Sequence, residues 1–292
     1  MKKSYIIIVI IIICIIIAAL GIKRNTNTIK EENSNLKIVT SFYPLYVITL
    51  NITDGVEEIS VQNMTDNTIG CLHNYTLQTA DLRKVENADI FIKNGFGVET
   101  FMNKITKAYP NLRIVDTQEA GLETIQDEEG ENGHVWNSIE NYKKQVQYIS
   151  NKLAENNPEN SAKFEENTKK YIEKIDSINT FRISSEESVI SCNEALAYLL
   201  NDVGFTVIPV YTDHDESSLS SGKVAEVIKL ANEKNVRAIF VDKDDDLKNA
   251  ELIANETNAK IIKLDSGLRG SLGKDAYINA MQENYDKIRE IF

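Results

Sequence analysis

Asn156-Asn157-Pro158-Glu159-Asn160-Ser161 interrupts a segment, Ser138 to Phe181, whose residue pattern is otherwise helical throughout. Asn157 suits a helix N-cap and Pro158 a first helical turn, where its missing N–H goes unnoticed. A new helix is therefore predicted from Pro158. Phe164, Tyr171, Ile175 and Ile178 fall on one stripe of it, with Lys and Glu on the opposite face. At ~1.5 Å per residue, about 22 residues make a rod of roughly 33 Å, the width of a small domain. The expected role is a rigid connector over residues 158–181.

On both sides of this segment the rhythm changes to short β-branched runs alternating with helical patterns. Before it, Lys37 to Ser41, Glu58 to Val61, Ala88 to Lys93 and Arg113 to Asp116 read as strands, with helices over Leu77 to Val85 and Val98 to Ala108. After it, strands are predicted at Ser188 to Ser191, Thr206 to Val210, Arg237 to Asp242 and Lys260 to Asp265. Helices fit over Glu194 to Asp202, with Gly204 as C-cap, and over Gly222 to Lys234, Leu247 to Asn258 and Asp275 to Ile291. Such alternation predicts an α/β protein: two β/α lobes with mostly parallel sheets, residues 36–157 and 182–292, joined by the long helix. The lobes share a layout but no residue-level repeat.

The first 35 residues are of another kind. Lys2 and Lys3 precede an uncharged run from Tyr5 to Ile22, and Lys23-Arg24 closes it. The run is near the ~17 to 25 residues of a spanning helix, and a cleaved export signal has a similar look. Cys14 follows Ile11-Ile12-Ile13 rather than a small residue and reads as apolar filler. Ala19-Leu20-Gly21 makes a mediocre cleavage site. An uncleaved anchor over residues 1–24 and a flexible tether over 25–35 are expected, with the globular part outside the membrane. The chain of 292 residues carries a formal net charge of -12. No basic surface is left to neutralise phosphates, which argues against a nucleic-acid partner. Solubility explains the charge at least as well as steering of cations.

Few residues are candidates for chemistry. Of three histidines, His73 and His134 sit in loops of the first lobe, in Cys71-Leu72-His73-Asn74-Tyr75 and Gly133-His134-Val135-Trp136. In open α/β sheets ligands bind beyond the carboxyl ends of strands. Ser191-Cys192-Asn193-Glu194 and Asp265 lie at such ends in the second lobe. A cleft between the lobes would collect nitrogens from one side and oxygens from the other, a set suited to zinc, manganese or iron. His214, in an acidic turn, reads as a surface residue. Asp242 to Asp246 lacks the spacing of a calcium loop. Cys71 and Cys192 are too few for a disulfide scaffold. With no His-Glu-x-x-His or comparable base at fixed spacing, no enzyme is expected.

The chain from about Ile38 to the C-terminus resembles the metal-binding receptor proteins of ABC-type importers, the class that delivers zinc or manganese. Thr40-Ser41-Phe42-Tyr43-Pro44-Leu45 is similar to the family's opening strand and turn, and His73-Asn74-Tyr75 with Ala80-Asp81-Leu82 and Asn87-Ala88-Asp89 to its first ligand segment. Gly95-Phe96-Gly97-Val98-Glu99, His134-Val135-Trp136, Ala195-Leu196-Ala197-Tyr198 and Ala238-Ile239-Phe240-Val241 continue the likeness in order. The resemblance implies His73 and His134 as ligands from the first lobe and Asp265 from the second. Its third ligand position, usually His and sometimes Glu, falls on Asn193. Three readings stay open there: Asn193 binds weakly, Glu194 turns inward, or the Cys192 thiolate substitutes. Trp136-Asn137-Ser138-Ile139 replaces the family's Trp-Leu-Asp-Pro, and the acidic Asp127-Glu128-Glu129-Gly130-Glu131 stands where many zinc importers carry a His-rich loop.

The resemblance implies an extracytoplasmic monomer, tethered to the membrane, that captures zinc or manganese and hands it to an ABC-type metal permease. The alternative is a homologue with a degraded metal site, serving as a surface adhesion or interaction protein. Membrane fractionation of the expressed chain tests the tether. The full-length protein is expected with the membranes, and a processed form in the medium beginning near Ile22 would contradict it.

Overall fold

The structure is a computed structural model that describes residues 36–70, 72–73, 75–126, 130–211 and 220–292. The expected anchor and tether, Cys14, Cys71, Asp127 to Glu129 and His214 lie outside the described residues. Among the described residues, no helix is long and apolar enough to cross a membrane.

Each of the eight expected strands is present. In the first lobe they are β1 (Leu36–Thr40), β2 (Ile59–Asn63), β3 (Ile90–Lys93) and β4 (Arg113–Asp116); in the second, β5 (Ser188–Ser191), β6 (Thr206–Pro209), β7 (Ala238–Asp242) and β8 (Lys260–Leu264). All pairings are parallel, and the sheet orders are β2-β1-β3-β4 and β6-β5-β7-β8. The second order is the first with four added to each strand, so both lobes are wound alike. Parallel strands are covered on both faces and so read as apolar runs, and all five residues of β7, Ala-Ile-Phe-Val-Asp, are buried. Both sheets reverse winding direction at an inner pair, β1 and β3 or β5 and β7. Beyond the carboxyl ends of that pair lies the place where an open α/β sheet accepts a ligand.

The helices α1 (Tyr43–Ile52), α2 (Thr79–Glu86), α3 (Met102–Ala108), α4 (Ile139–Asn156), α5 (Ser161–Asp176), α6 (Ala197–Val203), α7 (Ser221–Glu233), α8 (Lys248–Glu256) and α9 (Ala276–Arg289) pack around the sheets. Tyr43-Pro44-Leu45, which the resemblance places in an opening strand and turn, is the start of α1. The physical reason is burial on all sides. Eight residues of α1 are buried, and a helix without a polar face lacks the periodic stripe by which helices are recognised.

The connector also differs in detail. Pro158–Asn160 forms a single 3-10 turn, and α5 then runs for 16 residues, shorter than the roughly 22 expected from the run at 1.5 Å per residue. The hydroxyls of Tyr142 and Tyr171 meet at 2.9 Å, and Lys143 Nζ lies 2.9 Å from Asp176 Oδ1. The start of α4 thus faces the end of α5, and the two form an antiparallel hairpin. Asn167 Nδ2 donates to the carbonyls of Ile52 and Asp54 at 2.9 and 2.8 Å, which ties α5 to the end of α1. Irregular backbone after α5 completes the crossing, and Asn179 N donates there to Gln282 Oε1 at 2.9 Å.

The lobes dock through buried aromatic and polar contacts. Tyr142 of the first and Tyr277 of the second stack with ring centres 3.5 Å apart and planes 7° from parallel. The Tyr277 hydroxyl donates to the Trp136 carbonyl at 3.0 Å. Tyr43 Oη donates to Ser271 O at 2.6 Å, and Tyr198 Oη to Asn132 O at 2.6 Å. Tyr277→Phe leaves the Trp136 carbonyl unpaired and is expected to cost about 1–3 kcal/mol. Tyr277→Ala also removes the stack and should cost roughly 3–5 kcal/mol. Equilibrium urea unfolding measures both, and equal values for the two variants would contradict the stack.

Candidate metal centre

His134 is the most constrained of the candidates. Its backbone N–H donates to Asn132 Oδ1 at 2.9 Å, and its Nδ1 lies 3.0 Å from the same oxygen. Because a backbone N–H only donates, the Asn132 atom facing it must be the carbonyl oxygen. That oxygen only accepts, so Nδ1 carries a proton, and in the neutral ring the lone pair is then on Nε2. A ligand histidine is commonly oriented in this manner, by a hydrogen bond from the ring nitrogen that does not bind the metal. Asn132 is held in turn, its Nδ2 donating to Glu194 O at 3.3 Å. Gly133 is required beside it, since a Cβ there would sit 2.5 Å from Val98 Cγ2.

His73 follows the fully buried Leu72, which plugs its loop into the first lobe, and its carbonyl accepts from Thr100 Oγ1 at 3.2 Å. The rings of His73 and His134 are 5.4 Å apart between centres. Glu194 reaches toward them from the second lobe, with Oε1 3.6 Å from His134 Nδ1. That is too long for a hydrogen bond.

The remaining candidates are engaged elsewhere. Asn193 caps the 3-10 turn Glu194–Leu196, its Oδ1 accepting from Ala195 N at 2.9 Å, while its Nδ2 donates to Asp245 Oδ2 at 2.6 Å. Cys192 is half-buried, and burial, followed by the charge of Asp245, pushes its thiol up to about 12. Burial thus disfavours the thiolate that metal ligation needs. Asp265 receives Lys243 Nζ on Oδ2 at 2.6 Å and Gly267 N on Oδ1 at 2.8 Å. It borders a cavity of about 220 Å³ that is also lined by Tyr43, Lys243, Arg269 and Tyr277.

The structure thus draws His73, His134 and Glu194 together and leaves Asn193 and Asp265 on partners of their own, with Cys192 a half-buried free thiol. Among the described residues, no group of three or more His, Cys, Asp or Glu side chains is arranged to hold a metal ion. Three supporting residues escaped the sequence reading. Asn132 orients His134, and an Asn two residues before a turn is the one local signal that pointed to it. Asp242 accepts from Ser266 N at 2.8 Å and braces the Asp265 turn. Lys243 neutralises Asp265 from the neighbouring strand end, a pairing that only the sheet order reveals.

Residues 38–291 match the family described as ZnuA: Zinc-uptake complex component A periplasmic. The chain is 24% identical over 303 residues to the high-affinity zinc uptake system protein ZnuA of Bacillus subtilis, covering 94% of this chain and 93% of the relative. It is 27% identical over 284 residues to the manganese-binding lipoprotein MntA of Halalkalibacterium halodurans, covering 92% and 93%. Among solved structures, the SBP FpvC from Pseudomonas aeruginosa in complex with Mn2+ shares the fold with a TM-score of 0.77 at 21% identity, over 88% of this chain and 98% of that one. A laminin-binding adhesin, Lmb from Streptococcus agalactiae in a mutant form, does so with a TM-score of 0.75 at 17% identity, over 88% and 100%.

The orientation of His134 has a direct spectroscopic test. Long-range 15N–1H correlation of the imidazole should show Nδ1 protonated and Nε2 bare in the metal-free protein. Asn132→Ala should give a mixture of tautomers, and a ring unchanged by that substitution would show that Asn132 does not set it.

Proposed function

The chain belongs to the zinc-uptake component A family, and from that footing we propose that it captures a divalent transition metal, zinc first and manganese next, and delivers it to an ABC permease. The observation that carries the reading is the pair of neighbouring imidazoles, one of them oriented through its Nδ1 by Asn132. His73 and His134 supply nitrogen from the first lobe and Asp265 supplies oxygen from the second. Two imidazoles with carboxylate oxygen suit zinc, and suit manganese as oxygen donors increase. For the remaining position Glu194 is favoured. Asn193 directs its oxygen to the Ala195 N–H, and burial disfavours the Cys192 thiolate. The protein is a binding protein and not an enzyme. It works outside the membrane as a monomer, held by residues 1–24, and relatives described as lipoproteins are in keeping with a tether.

Metal capture exchanges one cation for another at Asp265. Lys243 Nζ must leave Oδ2 before a metal can take it. Partly buried pairs of this kind are worth about 1 kcal/mol, which opposes binding by the same amount.

Elemental analysis of the purified protein after equilibrium titration is expected to find one zinc per chain. Saturation to about 100 times Kd should stabilise the fold by ~2.7 kcal/mol. A His73→Ala, His134→Ala double variant should lose both effects, and one that titrates like the parent would sink the site. Lys243→Ala should tighten zinc binding by up to about fivefold. Weaker binding in that variant would mean that Asp265 is not a ligand.

A further inference from the structure

Beyond the ligands, we infer that Arg269 is a positioning residue, a latch by which the second lobe holds the His73-bearing loop of the first. The loop leaves β2 at Asn63, whose Nδ2 donates to Asn67 Oδ1 at 3.1 Å. Asp66 Oδ1 then accepts from Thr68 N at 2.9 Å and from Thr68 Oγ1 at 2.7 Å. This local turn orders the backbone and leaves the Thr68 carbonyl to be satisfied from outside. Arg269 Nε does so from the second lobe at 3.0 Å. Beside it, Gly270 N donates to Asn67 O at 3.4 Å.

The other edge of the same guanidinium faces its own lobe. Nη1 lies 3.5 Å from Asp244 Oδ2 and 3.9 Å from Asp242 Oδ1, at the end of β7. These are electrostatic separations rather than hydrogen bonds, and they offset the cost of drawing the charge into the interface. The guanidinium lies against Gly70, where a Cβ would come within 2.4 Å of Nη2 and 3.1 Å of Cζ. Glycine at position 70 is thus the seat of the latch. A planar, permanently charged fork serves both lobes at once, which the point charge of a lysine does not.

The location gives the latch its function. Gly70 lies three residues before His73, and Arg269 four residues after Asp265. Leu72 and Thr100 fix the His73 loop within the first lobe, and Arg269 ties it across the cleft. Parting of the lobes must break that tie, so the guanidinium slows escape of a held ion more than it speeds entry. This consequence for metal rests on the function proposed above, while the positional claim does not.

Arg269→Gln, Arg269→Lys and Gly70→Ala, made in the full chain, test it through two readouts. In the metal-free protein, amide hydrogen exchange of residues 66–70 should accelerate in Arg269→Gln and in Gly70→Ala, while α4 and β7 exchange as in the parent. In zinc-loaded protein chased with a chelator, both variants should raise the dissociation rate at least about tenfold, with the association rate changed by less than about threefold. Gly70→Ala keeps the charge and removes only the seat. Arg269→Lys keeps the charge and loses the Thr68 bond, so it should fall between parent and Arg269→Gln. Unchanged exchange at residues 66–70, acceleration everywhere alike, or full rescue by lysine would each overturn the latch. A parent that binds no zinc would overturn the proposed function, and the latch would then be decided by exchange alone.

Discussion

The carbonyl of Ser266 accepts two hydrogen bonds from the opposite lobe, one from Trp136 Nε1 and one from Asn137 Nδ2, each at 2.9 Å. Its N–H donates to Asp242 in its own lobe. All four residues are buried. A buried donor without a partner costs about 1–3 kcal/mol, so the side-chain N–H donors of Trp136 and Asn137 find this acceptor only when the lobes are docked. This stitch joins the residues just after His134 to the residue just after Asp265. His134 and Asp265 are therefore each flanked by a constraint that reaches into the other lobe.

Charge is distributed around this stitch with some economy. The chain is strongly acidic, yet two cations stand at the second lobe's side of the cleft, Lys243 on Asp265 and Arg269 near Asp242 and Asp244. Carboxylates gathered at the ends of parallel strands repel one another when no cation is present. An internal ammonium and a guanidinium relieve that repulsion at a cost to affinity. The two differ in kind. The ammonium sits on a carboxylate of the proposed ligand set, whereas the guanidinium sits on backbone and on carboxylates outside it.

How much of this was legible in the sequence follows from the range of each interaction. The strands were legible as short apolar runs between helical patterns, and β7, buried at every residue, shows it plainly. Helix α1 was not, because burial on every side erased its periodicity. His73 and His134 stood out by rarity and by their place in loops. Asn193 stood out as a departure from its family, and its cap on Ala195 N is local enough to have been read from an Asn just before a helical turn. The partners that decide what each candidate can do were invisible for a physical reason. Lys243 and Asp265 are 22 positions apart, and Arg269 and Thr68 are 201 apart. Only the strand order and the docking of the lobes bring them together.

Trp136 is the one tryptophan in the chain. It is fully buried, packs edge-on to Phe42 at 5.0 Å and to His134 at 5.2 Å between ring centres, and ends its N–H on the other lobe. The molecule therefore contains its own optical gauge. Indole emission comes from a single site at the joint between the lobes, beside a candidate ligand. Its wavelength reports whether that joint is dry, and its intensity reports the state of the neighbouring imidazole, with no label attached and no second fluorophore of its kind to blur the signal.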